Sequence, residues 1–182
     1  MKLVILDRDG VINEDSEEFI KSADEWIPLQ NSLDAIAFLN RSGYQVAIAT
    51  NQSGLGRKLF DINDLNQIHT KLLEQLRKAG GELVGIWFCP HVEEDQCQCR
   101  KPKTGLAEDI LNRVGAEVEQ TYMVGDSLRD LQCISRLGGR PVLVLTGKGK
   151  KTLQKGNLPK DTIICDSLWA FSQEIPIIEG TT

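Results

Sequence analysis

The sequence predicts an α/β fold built on a mostly parallel sheet, and three observations carry that prediction. Six short apolar runs, several rich in β-branched residues, punctuate the chain at 3–6, 45–49, 83–88, 121–124, 141–145 and 162–165. Four intervening segments carry apolar residues three or four apart, the spacing that buries one side of a helix. Glycine closes each of those segments, where a helix commonly stops. Strands alternating with helices in this way build a sheet of mainly parallel strands.

Leu3 to Leu6 is a continuous apolar run, as a strand buried on both faces requires. Leu33, Ile36, Ala37 and Leu39 then mark a helix ending at Gly43, and 45–49 is the second strand. Leu65, Ile68, Leu72, Leu73 and Leu76 mark the next helix, ending at Gly80-Gly81 before a strand at 83–88. Residues 90–103 have no periodicity, and loops of that length in a compact domain are usually functional. Leu106, Ile110, Leu111 and Val114 end at Gly115, and 121–124 is the fourth strand. Leu128, Leu131, Ile134 and Leu137 end at Gly138, and 141–145 and 162–165 complete the sheet. Residues 175–182 are expected to fray. Trp26, Trp87 and Trp169 read as packing residues, Cys133 and Cys165 as core thiols, and His69 as a satisfied helix histidine.

A length of 182 residues fits one domain, 1–182. Apolar content of 41% and charged content of 26% are those of an ordinary globular chain. The net charge of -5 and the lack of a long basic run argue against nucleic acid as a partner. The start, MKLVILDRDG, is not expected to be a signal peptide, and no apolar stretch reaches the roughly 18 residues of a membrane span. Five cysteines, an odd number, suggest reduced thiols and a cytoplasmic location. The net charge and a surface with no cap insertion fit a monomer, which is the expectation.

Ligands of an open parallel sheet bind at the carboxyl ends of its strands. Asp7-Arg-Asp9-Gly10 follows the first strand, Thr50-Asn51-Gln52-Ser53 the second, Cys89-Pro-His91 the third and Gly125-Asp126-Ser127 the fourth. Asp7, Asp9 and Asp126 supply hard oxygens suited to Mg²⁺, which also offsets the repulsion between neighbouring carboxylates. An ionised Asp7 can attack phosphorus, and Asp9 can protonate a leaving oxygen and later take a proton from water. Phosphoryl transfer needs positive donors, which Thr50 and either Lys101 or Lys103 can provide. Cys89, His91, Cys97 and Cys99 form C-x-H-x5-C-x-C, three thiolates and an imidazole, a structural zinc set. Arg100 and Lys101 follow the last ligand directly, so a fixed metal centre would set where both cations point.

LDRDG, ATNQSG, CRKP and VGDSLRDL resemble, in order, the four motifs of the haloacid dehalogenase superfamily of aspartate-nucleophile phosphatases. The resemblance implies a Rossmann-like fold with helices on both faces, Asp7 as nucleophile, Asp9 as acid/base, Thr50 and Lys101 on the phosphoryl group, and Asp126 completing the Mg²⁺ site. Lys103 is then a surface lysine. Asp130 reaches the metal through water or orients Lys101, the second role being favoured. The loop before CRKP and the lack of a large cap insertion resemble the heptose 1,7-bisphosphate 7-phosphatase branch, with histidinol-phosphate phosphatases as look-alikes. That branch implies a sugar bisphosphate substrate and a place in nucleotide-activated heptose synthesis for lipopolysaccharide or another surface glycan. It also implies that Arg100 meets the distal part of the substrate and that Asp15, Ser16, Glu17, Glu18, Thr50, Asn51, Gln52, Ser53 and Ser127 line the pocket. Two features depart from it: the acidic stretch 15–18 needs Lys21 or backbone amides to meet an anion, and Ser127 is lysine in some members. Lys148, Lys150 and Lys151 read as a solvated run. A receiver-type phosphoacceptor is the rival of another class, but it has no use for a second aspartate or a zinc loop.

Overall fold

Every residue of the first strand, β1 (Leu3–Leu6), is fully buried, and its side chains alternate between two cores. Val4 and Leu6 face one side and Leu3 and Ile5 the other. The computed structural model describes residues 1–180, with side-chain surroundings through Ile175. β2 (Gln45–Asn51), β3 (Gly85–Cys89), β4 (Thr121–Gly125), β5 (Arg140–Val144) and β6 (Ile163–Cys165) join β1 in one six-stranded sheet ordered β3-β2-β1-β4-β5-β6. All five pairings are parallel. The order reverses at β1, so the crevice beyond β1 and its neighbours β2 and β4 is where a ligand fits.

Helices cover both faces. α1 (Ser32–Arg41), α3 (Ile62–Lys78) and α7 (Leu168–Gly180) bury Ile36, Leu39, Ile68, Leu72 and Phe171 against Val46, Ile48, Tyr122 and Val142. α4 (Gly105–Val114) and α5 (Leu128–Leu137) bury Leu106, Ile110, Cys133 and Ile134 against Leu3, Ile5, Ala47 and Met123. Two short helices, α2 (Ser53–Gly56) and α6 (Gly149–Lys155), were not legible as helices. α2 is one glycine-rich turn, and α6 buries only Gly149 and Thr152, so neither has an apolar stripe. The frayed tail is corrected in part: Ile175 is fully buried within α7, which runs to Gly180, and residues 181–182 lie outside the described residues.

Among the described residues there is no bulky cap domain; residues 11–31 form a strap between β1 and α1, anchored by Ile12, Ile20 and Trp26 in the core. Its near end carries Asp15, Ser16, Glu17 and Phe19 over the strand ends. Among the described residues no helix is long and apolar enough to cross a membrane.

Candidate active site

β1 stops at Asp7, whose amide donates to the Val124 carbonyl of β4 (2.9 Å), and Gly10 turns the chain at φ 82°. A Cβ at position 10 would collide with the Asp126 carboxylate, so glycine lets the two strand ends close on one point. Asp9 is gripped on both oxygens. Arg8 Nε donates to Oδ1 (2.9 Å) and Nη2 to Oδ2 (3.3 Å), Asn13 Nδ2 donates to Oδ1 (2.9 Å) and Gln52 Nε2 to Oδ2 (3.1 Å). Burial pushes the Asp9 carboxyl up, but the Arg8 charge and these donors outweigh it and hold it below the usual range. Arg8 is itself fully buried, and its Nη1 lies 3.1 Å from His69 Nε2. Arginine can only donate, so His69 accepts as a neutral ring. Burial, then the Arg8 charge, lowers its pKa to about 4.

Lys101 reaches the same point from the loop after β3. Its ammonium is fully buried, 2.7 Å from Asp130 Oδ1 and 3.0 Å from Asp7 Oδ1, and it donates to the Ala49 carbonyl at 2.6 Å. Burial would lower its pKa, but Asp130 and Asp7 more than reverse that, so the cation is secure. Asn51 clamps the backbone at both polar atoms: Lys101 N donates to Oδ1 (3.0 Å), and Nδ2 donates to Lys101 O (3.1 Å). Thr50 is buried nearby, its Oγ1 accepting from Gln52 Nε2 at 2.9 Å.

Carboxylate oxygens of Asp7, Asp126 and Asp130 lie within 4.8 Å of one another. Burial, then the charges of Asp7 and Asp130, raises Asp126 to about 7. Asp126 also accepts from Ser127 Oγ (2.9 Å) and Lys148 N (2.8 Å). Three buried carboxylates with one lysine among them are electrostatically suited to a hard divalent cation. The Asp9 side chain stands apart from this group, held by Arg8, Asn13 and Gln52.

The four candidate zinc ligands converge. Cys99 Sγ is 3.1 Å from Cys89 Sγ and 3.6 Å from Cys97 Sγ, Cys89 and Cys97 are 3.6 Å apart, and His91 Nδ1 is 3.3 Å from Cys99 and 3.5 Å from Cys89. Zinc–sulfur bonds of about 2.3 Å place tetrahedral thiolates about 3.8 Å apart, close to two of these three sulfur spacings, with Cys89 and Cys99 drawn nearer. None of the thiols is paired in a disulfide. Lys103, read as a surface lysine, is part-exposed and donates to the carbonyls of Gln96 (3.1 Å) and Cys97 (2.5 Å), stapling the loop.

The model of the HAD-hydrolase-like family matches residues 98–171. The D-glycero-β-D-manno-heptose-1,7-bisphosphate 7-phosphatase of Neisseria meningitidis serogroup A is 59% identical over 177 residues, covering 96% of this chain and 95% of that protein. The chain belongs to the heptose 1,7-bisphosphate 7-phosphatase family. Solved structures of the family agree. That of the Bordetella bronchiseptica D,D-heptose 1,7-bisphosphate phosphatase, complexed with magnesium and phosphate, superposes with a TM-score of 0.95 at 49% identity, covering 98% of this chain and 99% of that one. The Burkholderia thailandensis enzyme gives 0.78 at 45% identity, covering 97% and 99%.

In this heptose phosphatase family member, a cavity of about 250 Å³ opens over Asp7, Asp9 and Asp126. Of the residues expected to line it, Asp15, Ser16, Glu17, Asn51, Ser53 and Arg100 do so. Thr50, Glu18, Gln52 and Ser127 do not. Gln52 is buried and donates inward to Asp9 and Thr50, Ser127 spends its hydroxyl on Asp126, and the Glu18 carbonyl accepts from Lys21 Nζ. Lys148, read as solvated, lines the cavity and pairs with Asp15 at 3.3 Å, while Lys151 stands 4.0 Å from Glu17. These two lysines face carboxylates of the acidic stretch, whereas Lys21 meets only its backbone, at the Glu18 carbonyl, and pairs with Glu25 at 3.5 Å. Sequence reasoning missed Arg8, Phe19, Arg57 and Arg129. The charge between Asp7 and Asp9, and the basic residue ahead of Asp130 in DSLRD, were the available signals.

Proposed function

We propose that this phosphatase removes the C7 phosphate of D-glycero-β-D-manno-heptose 1,7-bisphosphate through a phospho-aspartate on Asp7, in the synthesis of nucleotide-activated heptose. The observation that carries it is the fully buried Lys101 joining Asp7 to Asp130, at the root of a loop that also carries Arg100 into the cavity. The names of the 59% identical relative and of the 49% identical solved enzyme support the substrate.

In this reading Asp7 attacks phosphorus while Lys101 Nζ and Thr50 Oγ1 hold phosphoryl oxygens. Asp9 gives its proton to the departing C7 oxygen, then takes one from the water that attacks the phospho-aspartate and releases phosphate. The arriving phosphoryl dianion raises the Asp9 pKa, offsetting the lowering by Arg8 and favouring the protonated form that the first step needs. Mg²⁺, held by Asp7 and Asp126 with Asp130 beside them, supplies charge stabilisation for the transferring group. Cys89, His91, Cys97 and Cys99 would hold a zinc ion, which would fix the loop that presents Arg100 to the far end of the sugar. Reduced cysteines support a cytoplasmic enzyme, and we take it to act as a monomer.

The test is phosphate release by the zinc-loaded chain with Mg²⁺ from both anomers of the heptose 1,7-bisphosphate and from histidinol phosphate. The β anomer is expected to give the highest kcat/KM. Preference for histidinol phosphate, or one stable phosphorylation without turnover, would contradict the reading.

A further inference from the structure

Arg129 stands on the first turn of α5, three residues beyond Asp126, and the catalytic reading above gives it no part. It lines the cavity over Asp7 and also a larger hollow of about 800 Å³ on the outer side of the zinc loop. Its neighbours in charge have structural partners. Arg8 grips Asp9 and His69, Arg136 donates to the Pro102 carbonyl (2.8 Å), and Lys103 holds the loop. The Arg129 Nε is buried without a hydrogen-bond partner, and among the described residues no carboxylate lies within 4.0 Å of its guanidinium. A largely buried guanidinium with an unmet donor is costly, and an anionic ligand relieves that cost.

Its electrostatic surroundings indicate which anion. Burial alone would lower its pKa, yet Asp130, Asp7, Asp126 and Asp15 together raise it. Arg129 therefore sits within the field of the carboxylates gathered around Asp7, whose cavity it lines. Phosphoryl transfer spreads negative charge over three equatorial oxygens, and of the side chains placed on them above Lys101 is a cation while Thr50 offers a neutral hydroxyl. Position 127, the alternative place for a cation, offers only a hydroxyl already given to Asp126.

We propose that Arg129 is a second phosphoryl-binding cation, which together with Lys101 holds the oxygens of the transferring group. This rests on the phosphatase reading but not on which sugar carries the phosphate. A planar fork suits two phosphoryl oxygens at once, which a lysine ammonium cannot copy.

The experiment compares wild type, Arg129→Gln and Arg129→Lys as full, zinc-loaded chains with Mg²⁺. Substrates are the heptose 1,7-bisphosphate and p-nitrophenyl phosphate, with inorganic phosphate as inhibitor. Arg129→Gln is expected to lower kcat/KM about 30-fold on both substrates and to raise the phosphate inhibition constant about tenfold. Arg129→Lys recovers part of each loss, and it carries the test alone should the glutamine variant not fold. A loss confined to the bisphosphate, with phosphate inhibition unchanged, would overturn the proposal by moving Arg129 to the distal anion. Unchanged kinetics on both substrates would overturn it by leaving the guanidinium a mere counter-charge. Wild-type hydrolysis of p-nitrophenyl phosphate without turnover of the heptose would sink the sugar assignment alone, and the Arg129 comparison would still be read on the simpler ester.

Discussion

Arg8 shows how one buried side chain ties stability to the chemistry of its neighbour. Wedged between Asp9 and His69, it fixes the carboxylate that handles the proton, and it can do so only while His69 is a neutral acceptor. The His69 pKa is lowered from 6.5 to about 4 in the fold, so between those values the unfolded chain binds a proton that the folded chain refuses. Stability from this residue is thus complete above pH 6.5 and is lost as pH falls toward 4, on the order of 3 kcal/mol across the interval. Thermal melting from pH 7.5 to 5 should fall more steeply for wild type than for His69→Gln, which keeps an acceptor but does not titrate. Parallel curves for the two proteins would show that His69 is not the group responsible. The DRDG stretch displayed Asp7 and Asp9 plainly, whereas the Arg8 grip depends on a histidine 61 residues away and left no local mark.

The zinc loop is the element on which recognition turns. Between β3 and α4, Cys89, His91, Cys97 and Cys99 gather three thiols and an imidazole, and Lys103 and Asn51 pin the chain on either side of Arg100 and Lys101. Metal analysis should find about one zinc per chain that survives dialysis, and Cys97→Ser should lose it with a lower melting temperature but a folded sheet. In the intact loop Arg100→Ala should cost the bisphosphate about ten- to a hundredfold in kcat/KM, and p-nitrophenyl phosphate far less. A zinc-free chain with full activity, or equal losses on both substrates, would separate loop from recognition. The four ligands were visible in sequence because metal chelation imposes residue type and spacing. Strands were visible for a related reason, since β1 and β4 lie between two helical layers, β1 apolar throughout and β4 buried throughout. α6 was not, because a helix that buries a glycine and a threonine writes no apolar stripe. The staple made by Lys103 was not legible, because its partners are main-chain carbonyls, which no side-chain pattern announces.

Across the whole molecule, the sheet order brings the ends of β1, β2 and β4 together, and the loop beyond β3 closes over them. The motifs could be placed from sequence because each follows an apolar strand, and a parallel sheet delivers all strand ends to one edge. Asp130 beneath Lys101 was the favoured reading of the sequence, whereas Arg129 facing the cavity and Lys148 against the strap stayed hidden. Everything in the account converges on Asp7 as the atom donor to phosphorus, and that is best tested by trapping. Asp9→Asn, which leaves attack possible but removes the base for hydrolysis, is mixed with substrate and Mg²⁺, quenched in acid and digested for mass spectrometry. The account predicts a peptide carrying one added phosphoryl group at Asp7, absent from the Asp7→Asn chain, which should release no phosphate. Phosphate release near the wild-type rate by Asp7→Asn, with no modified peptide in the Asp9→Asn digest, would contradict it.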